Sequence, residues 1–187
     1  LIYNHLKSKH IVIPPREDHD KAAQFEGAYV KDPDLGLHKW IVSFDLNSLY
    51  PHLIMQYNIS PETYVGVETK GMSVENMLNQ QLNLDWAKNK NVAISANGAM
   101  FRRDKQGFLP ELMEKMYGDR VIYKKKMIEA KKEFQKTKDP IYKNEIARCH
   151  NIQMAKKISL NSAYGAIGNQ YFRYFENSSN NDLSRFG

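Results

Sequence analysis

The sequence predicts an α+β fold, part of an antiparallel sheet beside an α-helical hairpin. Two observations predict it. Residues 38–45 alternate as a strand does: Trp40, Val42 and Phe44 share one face, and Ile41, Ser43 and Asp45 share the other. Further on, two stretches of helical character, about 110–136 and 140–164, are separated only by Lys136-Thr137-Lys138-Asp139 before Pro140. So short a polar joint folds two long helices back on each other, antiparallel.

The remaining elements follow in chain order. Residues 1–10 read as the end of a helix, and 11–24, with Pro14-Pro15, as an extended linker. After the strand at 38–45, residues 48–57 read as a helix, with Ser48 as its N-cap and Pro51 in its first turn. Residues 64–67 and 93–103 read as strands, 73–86 as helical, and 104–107 as a hairpin turn before Phe108. Gly165 and Gly168 are placed to stop the second long helix, and the tail from Gln170 to Gly187 re-enters the sheet. No internal repeat is visible.

With 187 residues the chain suits one domain or a large piece of one, and its ends, Leu1 without a starting Met and Gly187, read as cuts inside a longer protein. A hydrophobic fraction of 42% is enough for a core, and 26% charged residues make a polar surface. No window approaches the roughly 20 apolar residues of a bilayer-spanning helix, and no membrane partner is expected. The single cysteine, Cys149, rules out an intrachain disulfide and fits a reducing compartment. The net charge of +6 is uneven: from Arg120 to Lys157, twelve Lys and Arg face four acidic residues, a net of +8. Such a segment suits a polyanion, nucleotide or nucleic acid, although a solvated Lys-rich helix carries the same charge.

Three constellations carry chemistry. Asp45 ends the strand directly before a helix start. A carboxylate there can hold a divalent cation, while the free N–H groups near Ser48, Leu49 and Tyr50 can receive phosphate oxygens. Lys157, Asn161 and Tyr164, at i, i+4 and i+7, share a helical stripe that Gln153 and His150 extend backwards. Arg120, Lys124 and Lys131 form a stripe on the first long helix. In an antiparallel hairpin, Arg120 and Lys124 lie level with the second half of the other helix and could converge with Lys157 on one anion. Each constellation also has a plainer reading: a helix-start aspartate, a polar solvent face, a Lys-rich exterior loosely paired with Glu129 and Glu133.

Their order and wording distinguish them. Asp45-Leu46-Asn47-Ser48-Leu49-Tyr50-Pro51 resembles motif A of the family B DNA polymerases, Asp-x-x-Ser-Leu-Tyr-Pro. Lys157-Ile158-Ser159-Leu160-Asn161-Ser162-Ala163-Tyr164-Gly165 resembles their motif B, Lys-x-x-x-Asn-Ser-x-Tyr-Gly. Arg120-Val121-Ile122-Tyr123-Lys124 matches the Arg-x-x-x-Lys element of the fingers, and Phe25-Glu26-Gly27-Ala28 looks like the Tyr-x-Gly-Gly/Ala segment between exonuclease and polymerase regions. The resemblance runs from about Phe25 to Gly187, and residues 165–174 are most similar to the T-even bacteriophage branch.

The resemblance implies DNA-directed DNA synthesis, the addition of deoxynucleoside triphosphates to a primer-template DNA with two Mg²⁺ ions. It implies a linker at 1–24, a first part of the palm at 25–108, a fingers hairpin at 109–168, and a return to the palm at 169–187. Asp45 would be one of two metal-binding aspartates, with the Leu46 carbonyl beside it. Ser48 and Leu49 would donate N–H groups to the triphosphate, and Tyr50 would lie under the sugar and exclude ribonucleotides. Arg120, Lys124 and Lys157 would grip the triphosphate, and Asn161 would help hold the nucleotide. Tyr164 and Gly165 would border the new base pair, and Phe25, Gly27 and Ala28 would touch the template. The location implied is cytoplasmic, the host's cytoplasm if phage-encoded.

Three departures stand out. His52 replaces the usual Ser, and Phe25 the usual Tyr. No Tyr-x-Asp-Thr-Asp motif C follows motif B, and Asn180-Asn181-Asp182-Leu183 does not substitute for it. The second carboxylate, the thumb and the exonuclease would come from the remainder of the polymerase, so this chain alone is expected to be inactive. A subunit of a split polymerase, active only on mixing, is the alternative. A non-catalytic nucleic-acid-binding relic is another, but it would need neither Asp45 nor Tyr50.

Overall fold

The structure is a computed structural model that describes residues 1–13, 15, 30–68, 70–167, 169 and 171–172. The chain opens with helix α1 (Ile2–Ser8), as expected of residues 1–10. Leu6 buries its side chain in the core, Lys9 pairs with Glu111, and His5 Nε2 lies 3.6 Å from the same carboxylate. Most of the expected linker, the template segment at Phe25, Gly27 and Ala28, and nearly all of the tail from 169 lie outside the described residues.

The strand expected at 38–45 does not form. Trp40 has a positive φ of 60°, which breaks the extended alternation, and no other described strand pairs with this segment. A strand is completed by a ladder partner. Without one, both faces lie in solvent, with Trp40 96% and Phe44 91% exposed.

Helix α2 (Leu49–Tyr57) follows, one residue later than expected. Asn58 closes it in the left-handed conformation, φ 57°. The buried Asn58 side chain then makes three long-range bonds. Its Nδ2 donates to the carbonyls of Arg102 (2.7 Å) and Lys105 (2.8 Å), and its Oδ1 accepts from the Gly107 N–H (2.9 Å). A 3₁₀ turn (Pro61–Thr63) leads to strand β1 (Tyr64–Val67).

The helical reading of 73–86 resolves into two short pieces, α3 (Val74–Leu78), capped by Ser73, and α4 (Asp85–Asn89). Between them Gln80 takes a positive φ of 55°, which ends the helical run. The single strand expected at 93–103 is two, β2 (Val92–Ile94) and β3 (Ala99–Arg102). The turn from Ser95 to Gly98 separates them: Ser95 N–H donates to Ala99 and Gly98 N–H to Ser95, both at 2.9 Å. Gly98 has φ +90°, and a Cβ there would lie 1.9 Å from the Glu68 carbonyl oxygen, so only glycine fits. The sheet is antiparallel in the order β1-β3-β2, with a bulge at Val65.

Residues 104–107 do not turn a hairpin. They lead from β3 into helix α5 (Phe108–Thr137), whose N-cap is the buried Gly107. A Cβ on Gly107 would fall 2.5 Å from that of Ser60. Glu62 caps the helix by accepting from the Phe108 N–H at 2.6 Å. Lys138, in the left-handed conformation, and Asp139 make the joint. Asp139 Oδ1 accepts from Ile141 N–H to start helix α6 (Pro140–Ile167), with Pro140 in its first turn. Gly165 does not stop α6, which runs through it to Ile167; Gly168 is outside the described residues.

Phe101 of β3 and Leu109, Leu112, Met113 and Met116 of α5 form the core with Ile54 of α2 and Leu160 of α6. Each such side chain contributes about 1.5–3 kcal/mol by leaving water. Farther out, the small Ala130 and the thiol of Cys149 let α5 and α6 approach closely. An ion pair of Lys156 with Asp119 (2.7 Å) marks the register of the hairpin. The base of α5 and α6 is therefore buried, and their outer halves stand in solvent.

Candidate functional site

Four of the residues singled out from the sequence, Ser48, Tyr50, Arg120 and Tyr164, come together where the first turn of α2 meets the hairpin. Ser48 stands at the expected N-cap position but does not cap. It adopts the left-handed conformation, φ 53° and ψ 46°, and makes no side-chain bond to its helix. Its Oγ instead accepts from Arg120 Nη1 at 3.1 Å. The Ser48 carbonyl accepts twice from His52, from its N–H at 3.1 Å and from Nδ1–H at 2.9 Å. The next α2 position is Pro51, which has no N–H. The N–H groups of Ser48, Leu49 and Tyr50 thus stand at a helix start with no partner among the described residues.

Two aromatic contacts complete this junction. Tyr50 stacks on Tyr164 of α6, ring centroids 4.1 Å apart and 14° from parallel. Burial, with the Tyr50 ring beside it, pushes the Tyr164 phenol above its ordinary value. His52 meets Tyr117 of α5 edge to face, at 4.7 Å and 81°. Ser48 and His52 on one helix therefore engage Arg120 and Tyr117 on the other, each pair one turn apart.

Not every expected residue joins them. Asp45 and Leu46 are exposed on the segment leading to α2. Among the described residues no three His, Cys, Asp or Glu side chains group as a metal site. Lys124, Lys157 and Asn161 are exposed on the hairpin. Arg120 and Lys157 each follow one member of the Asp119–Lys156 ion pair, so they are level across the hairpin as expected. Gln153 is not on the solvent stripe; it is buried between the helices with Cys149 and Leu160. Gly165 is exposed, and a Cβ there would meet nothing within 4 Å. Arg120 Nε is buried with no partner among the described residues, a donor that an acceptor would satisfy.

No role for His52, Tyr117, Asn58, Ser60 or Glu62 is legible in the sequence, yet each makes a contact at or below this junction. An Asn after an apolar helix could have been read as its left-handed cap. Nothing local announces its bonds to residues more than 40 positions away.

Comparison with known proteins decides the family. The sequence pattern described as DNA polymerase family B matches residues 1–181. This chain belongs to DNA polymerase family B. The DNA-directed DNA polymerases of Escherichia phage RB69 and Enterobacteria phage T4 are 27% and 29% identical to it, over the whole of this chain and 25% of each relative. DNA polymerase 1 of Pyrococcus abyssi is 34% identical over 81% of this chain and 16% of its own length. The chain thus spans about a quarter, or less, of these family B relatives. The solved family B DNA polymerase of Pyrobaculum calidifontis superimposes with a TM-score of 0.63 at 24% identity, over 99% of this chain and 21% of the other, a likeness of fold.

Proposed function

We propose that this chain supplies part of the deoxynucleotide site of a DNA-directed DNA polymerase, which extends a primer along a template by phosphoryl transfer. The observation that carries this reading is the junction in which Arg120 and Tyr164, from the two hairpin helices, meet Ser48 and Tyr50 at the start of α2. In a family B chain these are residues of the fingers Arg-x-x-x-Lys element, motif B and motif A. The free N–H groups of Ser48, Leu49 and Tyr50 are suited to phosphate oxygens, and the helix dipole favours the anion. Arg120, with Lys157 level with it across the hairpin and Lys124 one turn further along α5, would neutralise the triphosphate, whose charge grows as pyrophosphate leaves. Tyr50 would support the sugar, Asn161 would hold the nucleotide, and Tyr164 and Gly165 would border the base pair. Phe25, Gly27 and Ala28 would follow the template.

Two Mg²⁺ ions would supply charge stabilisation and activate the primer hydroxyl. Asp45 and the Leu46 carbonyl are ligands of the right chemistry, but one carboxylate does not make a two-metal site. The described residues alone do not fit the pair.

The test is steady-state incorporation by the polymerase that carries this chain. Arg120→Ala is expected to raise the deoxynucleotide concentration for half-maximal rate roughly tenfold or more, since a hydrogen bond to a charged group contributes about 1.5–3 kcal/mol. An unchanged concentration removes Arg120 from the site.

A further inference from the structure

The departure at position 52 has a structural consequence. A serine there could return a hydroxyl bond to the carbonyl four residues back, as serines in helices do. It could not also reach Tyr117. His52 does both: Nδ1–H donates to the Ser48 carbonyl at 2.9 Å while the ring stands edge-on to Tyr117 at 4.7 Å. The carbonyl it holds belongs to the residue whose left-handed backbone, φ 53°, is uncommon for anything but glycine. That backbone sets the direction of the unpartnered N–H groups at 48–50, and its side chain receives Arg120. Tyr117 precedes Arg120 by one helical turn, so the imidazole braces the turn against the same face of α5 that carries the guanidinium.

We propose that His52 is a positioning residue for the nucleotide: it fixes the Ser48–Tyr50 turn and docks it on α5, so that the backbone donors and Arg120 are aligned before the triphosphate arrives. This rests on the proposed nucleotide site and adds to it a residue that does not touch the substrate. Pre-alignment lowers the ordering cost of binding. The effect is therefore on nucleotide affinity rather than on the maximal rate.

The experiment is single-turnover incorporation by the polymerase carrying this chain, comparing wild type, His52→Ala and His52→Asn, with thermal unfolding of each. His52→Ala is expected to weaken apparent nucleotide affinity about fivefold, the change one net hydrogen bond makes, with the maximal rate within about twofold of wild type. Asparagine places an amide donor near the position of Nδ1 and is expected to recover most of the affinity. The proposal is overturned if His52→Ala leaves affinity unchanged, if the maximal rate falls instead, or if asparagine restores nothing. Equal losses of unfolding temperature with unchanged affinity also overturn it, because His52 would then serve the fold alone. Failure of the site itself is read separately: Asp45→Ala would then retain incorporation, whatever His52 does.

Discussion

Ser48 and Tyr50 show how a residue's type and its use can diverge. A serine before a helix is read as a cap. Here its hydroxyl is taken by Arg120, and its backbone bends into a left-handed turn that the sequence does not announce. Tyr50 is easier to read as part of its motif, but its position comes from the stack on Tyr164, more than 100 residues away. That stack packs the ring against α6, and in the proposed site a ring so packed would discriminate shape. In the proposed site Tyr50→Ala should raise incorporation of ribonucleotide relative to deoxynucleotide by roughly tenfold, the low end of what one packed contact supplies. A competition assay in which the ratio stays the same would take the sugar-excluding role from Tyr50.

Among elements, the hairpin was the most legible because its signals are local and long. Helical character over some 50 residues, a polar joint and Pro140 suffice to place it, and α5 and α6 differ from the expected bounds by three residues or fewer. Gly165 was misleading because a glycine in a long, packed helix costs only about 1 kcal/mol, too little to end it. The sheet was less legible. Asn97-Gly98 is a turn signal that divides 93–103 into two strands. The strand at 38–45 has the right alternation, but pairing is not a property of the segment itself.

The join between the sheet and α5 was not legible at all. It is made by Asn58, whose three bonds reach β3, the following loop and Gly107. Asn58→Ala removes all three, leaves the buried Gly107 N–H unsatisfied and puts alanine at φ 57°. Unfolding by denaturant should show a loss of about 2–4 kcal/mol. A loss under about 0.5 kcal/mol would mean that the core alone sets the start of α5.

At the scale of the molecule, the buried base and charged outer half of the hairpin divide the labour. Phe101, Met113, Met116 and Leu160 hold α5 and α6 to the sheet and α2. The exposed lysines then project beyond the core, where a solvated face and an anion-binding face look alike in composition. In the proposed site the junction at α2 favours the anion-binding face, and only its motif wording was visible in the sequence. No helix among the described residues is long and apolar enough to cross a membrane.

The claim that this chain forms part of a polymerase's nucleotide site is tested most directly at Asp45. The measurement is single-nucleotide primer extension by the polymerase carrying this chain, wild type against Asp45→Ala, with thermal unfolding of both. Asp45 is exposed and makes no bond among the described residues, so its loss should leave the unfolding temperature unchanged. Extension should nonetheless fall to background. Extension at the wild-type rate by the folded variant would contradict the account.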